Sequence, residues 1–146
     1  MLTTPAPAVP ELAARLRLAV TRTARRLRQQ SDPSLSPTQA AALATIERAG
    51  PLTPSKLAEI EHVQRPTISR VSGRLEQAGL VERQPDELDG RGAQLRATPA
   101  GRRTLRALRS RKTAYLAERL ERLGPEDLTV LARASELLER LLDEDQ

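Results

Sequence analysis

The chain has no cysteine, no tryptophan and no phenylalanine, and Tyr115 is its one aromatic residue. Without cysteine there is no disulfide, thiolate zinc site, iron–sulfur cluster or thiol redox switch. A single histidine, His62, leaves almost no metal-site or imidazole-based catalytic option, and no cofactor is expected. No nucleophile–base set, phosphate loop or paired carboxylates with a partner can be found, so an enzyme is not expected. No run of about 18 apolar residues occurs, so no segment is expected to span or enter a membrane. Residues 1–10 lack the basic flank and apolar run of a secretory signal, and a cytoplasmic location is expected.

What the chain does have is arginine and small or aliphatic residues. Lys and Arg number 24 and Asp and Glu 19, a net charge of 24 − 19 = +5. Only Lys56 and Lys112 are lysines, which leaves 22 arginines. Solubility alone would account for the surplus. A polyanion partner accounts for the choice of arginine as well, because the guanidinium fork matches phosphate geometry. Leu supplies 24 residues and Ala 21, against nine Val and Ile, so the composition is that of a mostly helical protein. Large aliphatics are few for a compact monomer, and a core shared between two chains would ease the shortage.

Charge is segregated. Residues 1–30 are net +5, 64–78 net +2, 99–122 net +6 and 123–146 net −5. Such blocks are solvated helix faces, or an interaction surface with a complementary subunit contact. Proline and glycine mark the elements. Leu12, Leu16, Ala19, Val20, Thr23 and Leu27 recur at helical spacing, predicting a helix over about 10–30. Ser36-Pro37 and Thr53-Pro54 are N-cap and first-turn signals for helices to about Ala49 and Glu61. Pro66 opens another helix that Gly79 ends. Leu80 to Arg83 and Gln94 to Thr98 read as two short strands around a charged turn. Thr98-Pro99 starts a long helix to about Leu123, and the last runs from Pro125 to Asp143. The expected fold is mainly α, about six helices with a small β-hairpin wing, in a winged helix-turn-helix order.

In the 65–78 helix, Ile68, Val71 and Leu75 form the inward stripe. The opposite face presents Arg65, Thr67, Arg70 and Arg74, flanked by Ser69 and Gln77. A helix with three arginines and short hydroxyls can enter a major groove, where Arg bonds guanine or a phosphate. Pro66 lacks an N–H that the first turn would leave unpaired anyway. Gln64 sits at the N-cap, where glutamine serves poorly. Gly73 costs roughly 0.5–1 kcal/mol relative to Ala; it permits close backbone approach to DNA or a neighbouring helix, or is tolerated drift. On the hairpin, Gly90 and Gly92 flank Arg91, which could enter a narrow minor groove, with Asp89 holding its guanidinium. An ordinary surface ion pair is the alternative.

Leu52-Thr53, Leu57-Ala58, Val63, Pro66-Thr67-Ile68-Ser69-Arg70, Leu75-Glu76, Gly79-Leu80-Val81 and Arg83 closely resemble the core of the MarR family of bacterial transcriptional regulators. Asp89-x-Arg91 and Leu95-x-x-Thr98-Pro99-x-Gly101 resemble the family's wing and the start of its next helix. The similarity is dense over about 52–101, and helix order extends it along nearly the whole chain. It implies a homodimer that binds a pseudo-palindromic double-stranded DNA operator. Its recognition helix would carry Gln64, Arg65, Pro66, Thr67, Ser69, Arg70 and Arg74, and its wing Asp89, Gly90 and Arg91. It also implies dimerisation through the first and last helices, with repression relieved by a small-molecule effector.

The last helix agrees with dimerisation, since Leu128, Leu131, Leu138 and Leu142, beside Val130, Ala134, Leu137 and Leu141, make an apolar arc too wide for one surface. Packing within one chain is the alternative. The expected interface is Leu12, Leu16, Leu128, Leu131, Leu138 and Leu142. The corresponding division is 1–35 for the tail and first dimerisation helix, 36–98 for DNA reading and 99–146 for the C-terminal dimerisation helices. The run Arg102, Arg103, Arg106, Arg109, Arg111 and Lys112 could touch phosphates, line an anion pocket or pair with C-terminal acids. A winged-helix protein-interaction module without sequence-specific DNA binding is the second reading of the chain.

Overall fold

A computed structural model describes residues 5–30, 32–85 and 92–144. Proline opens or nearly opens every helix. The order is α1 (Val9–Arg28), α2 (Pro37–Ala49), α3 (Pro54–Glu61), α4 (Arg65–Gln77), β1 (Val81–Pro85), β2 (Ala93–Ala97), α5 (Pro99–Leu120) and α6 (Pro125–Asp143). This is the expected order of six helices and a hairpin. α5 stops at Leu120, three residues before the expected end. The chain divides into two compact units, Met1–Lys112 and Thr113–Gln146. No described helix is long and apolar enough to cross a membrane.

Local chemistry sets the boundaries. Asp32 turns the chain before α2 by accepting the Ser34 hydroxyl at 2.7 Å and the Ser34 N–H at 2.8 Å. The Ser34 hydroxyl above all, then its backbone N–H, hold the Asp32 carboxyl below its ordinary range. α2 begins with a reciprocal capping box: the Gln39 N–H donates to Ser36 Oγ at 3.1 Å and the Ser36 N–H to Gln39 Oε1 at 3.0 Å. Thr53 caps α3 by accepting the Lys56 N–H at 3.2 Å. α3 ends on His62 in the left-handed region, φ 53°, where His is enriched among non-glycine residues. After α4, Gly79 at φ 74° turns the chain, with the Leu80 N–H on the Leu75 carbonyl at 2.9 Å and the Gly79 N–H on the Glu76 carbonyl at 3.0 Å.

The core of the first unit lies where α2, α3, α4 and the hairpin meet. Leu43, Ile46, Leu57, Ile68, Leu75 and Leu95 are fully buried there. Each such side chain stabilises by about 1.5–3 kcal/mol relative to exposure. α2 and α3 are also joined by the buried Thr45, whose hydroxyl bonds Glu61. β1 and β2 pair antiparallel from Val81↔Ala97 to Pro85↔Ala93. Leu52 adds a single bridge to Leu95, with N–H to carbonyl bonds of 3.1 and 2.8 Å. The hairpin is thereby tied to the segment between α2 and α3. α1 and α6 contribute no buried residue.

Candidate nucleic-acid interface

α4 turns Ile68, Val71 and Leu75 inward, as its periodicity predicts. Ser72 is buried with them, and its Oγ has no hydrogen-bond partner among the described residues. The outward residues divide into three groups. Gln64 occupies the N-cap and makes no side-chain cap bond, and Pro66 follows in the first turn. Arg65 is tied back to α3, its guanidinium donating to Ser55 Oγ. Ser69, Arg70 and Arg74 are exposed and Thr67 is half-buried. Neither Arg70 nor Arg74 enters an ion pair among the described residues.

Among the described residues nothing lies within 4 Å of a Cβ built on Gly73. Of the two uses that the residue suggests, close approach to a neighbouring helix of the same chain is therefore absent among the described residues.

The hairpin leaves α4 in a defined direction because its base is pinned. Arg83 Nε donates to Glu76 at 2.8 Å, joining β1 to the last turn of α4. Arg96 pairs with the directly opposite Glu82 at 2.6 Å across the ladder. The proposed wing-tip residues Asp89, Gly90 and Arg91 lie outside the described residues.

A cleft of about 180 Å³ separates α4 from the first turn of α2, lined by Ser36, Thr38, Gln39, Thr67, Arg70, Val71 and Arg74. The sequence marks Ser36-Pro37 as a helix start, and nothing in its periodicity shows that this start lies beside two arginines. A second cavity, about 170 Å³, opens between the end of α1, α2 and α5, with Ala44, Leu105 and Leu108 beneath Arg28, Arg109 and Lys112. Of the basic run on α5, Arg109 reaches Glu47 on α2 at 3.4 Å and Arg102 donates to the Ala97 carbonyl at 3.1 Å. Of the six leucines expected at a dimer interface, Leu12, Leu16, Leu128, Leu131 and Leu142 are exposed, and Leu138 is half-buried.

Two short helices, the second with a basic outer face, followed by an antiparallel hairpin define a winged helix-turn-helix protein. Residues 35–92 match the MarR family. An uncharacterised HTH-type transcriptional regulator of Mycobacterium leprae is 38% identical over 136 residues, covering 91% of this chain and 94% of the relative. An HTH-type transcriptional regulator of Mycobacterium tuberculosis is 37% identical over 134 residues, with the same shares of 91% and 94%. A solved transcriptional-regulator candidate from Pseudomonas aeruginosa has a TM-score of 0.80 at 32% identity, covering 94% of this chain and 98% of that one. A MepR variant from S. aureus, solved bound to an oligodeoxyribonucleotide, shares the fold at a TM-score of 0.68 and 19% identity, covering 89% and 97%. The chain belongs to the MarR family of HTH-type transcriptional regulators.

Proposed function

We propose that the protein is a dimeric, sequence-specific DNA-binding repressor that reads a pseudo-palindromic operator and releases it on binding a small molecule. The observation that carries the reading is the outer face of α4. Arg70 and Arg74 stand there without carboxylate partners among the described residues, beside exposed Ser69. Unpaired arginines on a solvent face suit a polyanion, and two-fold related copies of α4 would meet half-sites about 34 Å apart. The MepR variant of the same fold is bound to an oligodeoxyribonucleotide, which supports the reading.

In the proposed division of labour, residues 36–98 read DNA, 1–35 and 99–146 hold two copies together, and Asp89, Gly90 and Arg91 reach the minor groove. The cavity beneath Arg28, Arg109 and Lys112 suits an effector with an apolar body and an anionic head. The absence of cysteine excludes a thiol-based oxidant signal.

Titration of the full chain with operator DNA, selected from genomic fragments, tests the reading. Each phosphate neutralised by a cation contributes a slope of about −0.9 to log K against log salt. A steep negative slope with preference over scrambled duplex is expected. A flat dependence would favour a protein-interaction module instead.

A further inference from the structure

We propose that the cleft between the first turn of α2 and the outer face of α4 seats one backbone phosphodiester of DNA. Arg70, Arg74 and the Thr38 hydroxyl would hold it, so these arginines set register and do not read bases. The inference rests on the DNA-binding reading above. Arg70 and Arg74 are one helical turn apart and share a side of α4, and both line the cleft. Among the described residues no carboxylate lines it and neither arginine enters an ion pair.

The opposite wall adds donors of the same sign. In the first turn of α2 the Gln39 N–H is taken by Ser36 and Pro37 has none. Thr38 stands between them, exposed, and takes no part in the capping box. The positive end of the α2 dipole reinforces the two guanidinium charges. Two cations, a hydroxyl and a helix start facing one another across about 180 Å³ suit a tetrahedral monoanion. A flat base edge at this place would leave the α2 wall unused.

Ser69 and Gly73, also one turn apart, do not line the cleft. Ser69 is exposed, and a Cβ on Gly73 would meet nothing within 4 Å among the described residues. With the arginines turned to the backbone, base edges fall to this bare strip of α4.

The test compares the full-length protein with Arg70→Ala, Arg74→Ala and Thr38→Glu by fluorescence anisotropy. Each is titrated with a selected operator duplex and a scrambled duplex of equal length across a salt series, and circular dichroism checks folding. Each arginine variant is expected to weaken both duplexes by the same factor and to flatten the salt slope by about 0.9. Thr38→Glu keeps the fold, because a carboxylate suits the first turn of a helix, and is expected to weaken both duplexes roughly tenfold. An arginine variant that loses operator affinity while scrambled affinity stands would make that arginine a base reader and overturn the seat. Unchanged binding by Thr38→Glu overturns it too. Wild-type protein that binds neither duplex would instead remove the DNA-binding reading, and the seat with it.

Discussion

Thr98 and Gly101 decide how the hairpin returns to the helical body. The Thr98 hydroxyl donates to the Gly79 carbonyl at 2.6 Å and accepts the Gly101 N–H at 3.1 Å. The Thr98 N–H reaches the Leu80 carbonyl at 3.0 Å. A Cβ at residue 101 would run into that same Leu80 carbonyl oxygen and sit 3.3 Å from a Leu43 methyl. Gly101→Ala is therefore expected to cost about 1–3 kcal/mol, as overpacking does, and to lower the thermal midpoint by several degrees. An unchanged midpoint would show that α5 can shift without penalty. Thr98-Pro99 was legible in the sequence as a helix start, and Gly101 only through the resemblance; the collision that requires glycine is a tertiary fact. Ser72 was not legible at all. Periodicity counts apolar residues, and a serine beside Val71 reads as surface until packing closes over it.

At the scale of elements, α4 shows local and global demands in conflict. It has a poor N-cap in Gln64 and a glycine in its middle, both unfavourable for an isolated helix. Burial of Ile68, Val71 and Leu75 holds it in place. Since a Cβ at residue 73 meets nothing among the described residues, Gly73→Ala is expected to stabilise by roughly 0.5–1 kcal/mol, read as a raised thermal midpoint. The same variant is expected to bind operator DNA more weakly, because the added methyl stands on the bare strip proposed to face the bases. Higher stability with unchanged affinity would identify Gly73 as tolerated drift. The helices themselves were readable because Ser36-Pro37 and Thr53-Pro54 act through bonds within four residues. The Leu52 bridge to Leu95 was not, since a single paired residue carries no alternation.

For the whole molecule, the exposed leucines of α1 and α6 are a surface that the fold of one chain does not explain. Leu12 is 44% exposed, Leu131 42% and Leu142 68%. The proposed dimer would cover them. Leu131→Glu is expected to shift the full chain from dimer towards monomer in sedimentation equilibrium while its helix content is kept. An unchanged mass would remove α6 from the interface. Charge repeats the pattern of the leucines: α1 ends on Arg25, Arg26 and Arg28, while α6 begins with Glu126 and Asp127. Such blocks would tune the salt dependence of association.

The sequence by itself determined the absence of cysteine chemistry, the arginine surplus, the order of the elements and the inward stripe of α4. These follow from composition and from interactions within a turn or two of chain, where proline, glycine and hydroxyl caps act directly. Tertiary structure alone decided that α2 opens beside Arg70 and Arg74, that Arg65 is tied to Ser55, that Leu52 joins the hairpin and that Ser72 is sealed in the core. Each joins residues distant along the chain or depends on the packing around them, so no local spacing encodes it. With aliphatic side chains in the core, glycine at residue 101 and threonine at residue 98 set how closely α5 approaches the hairpin.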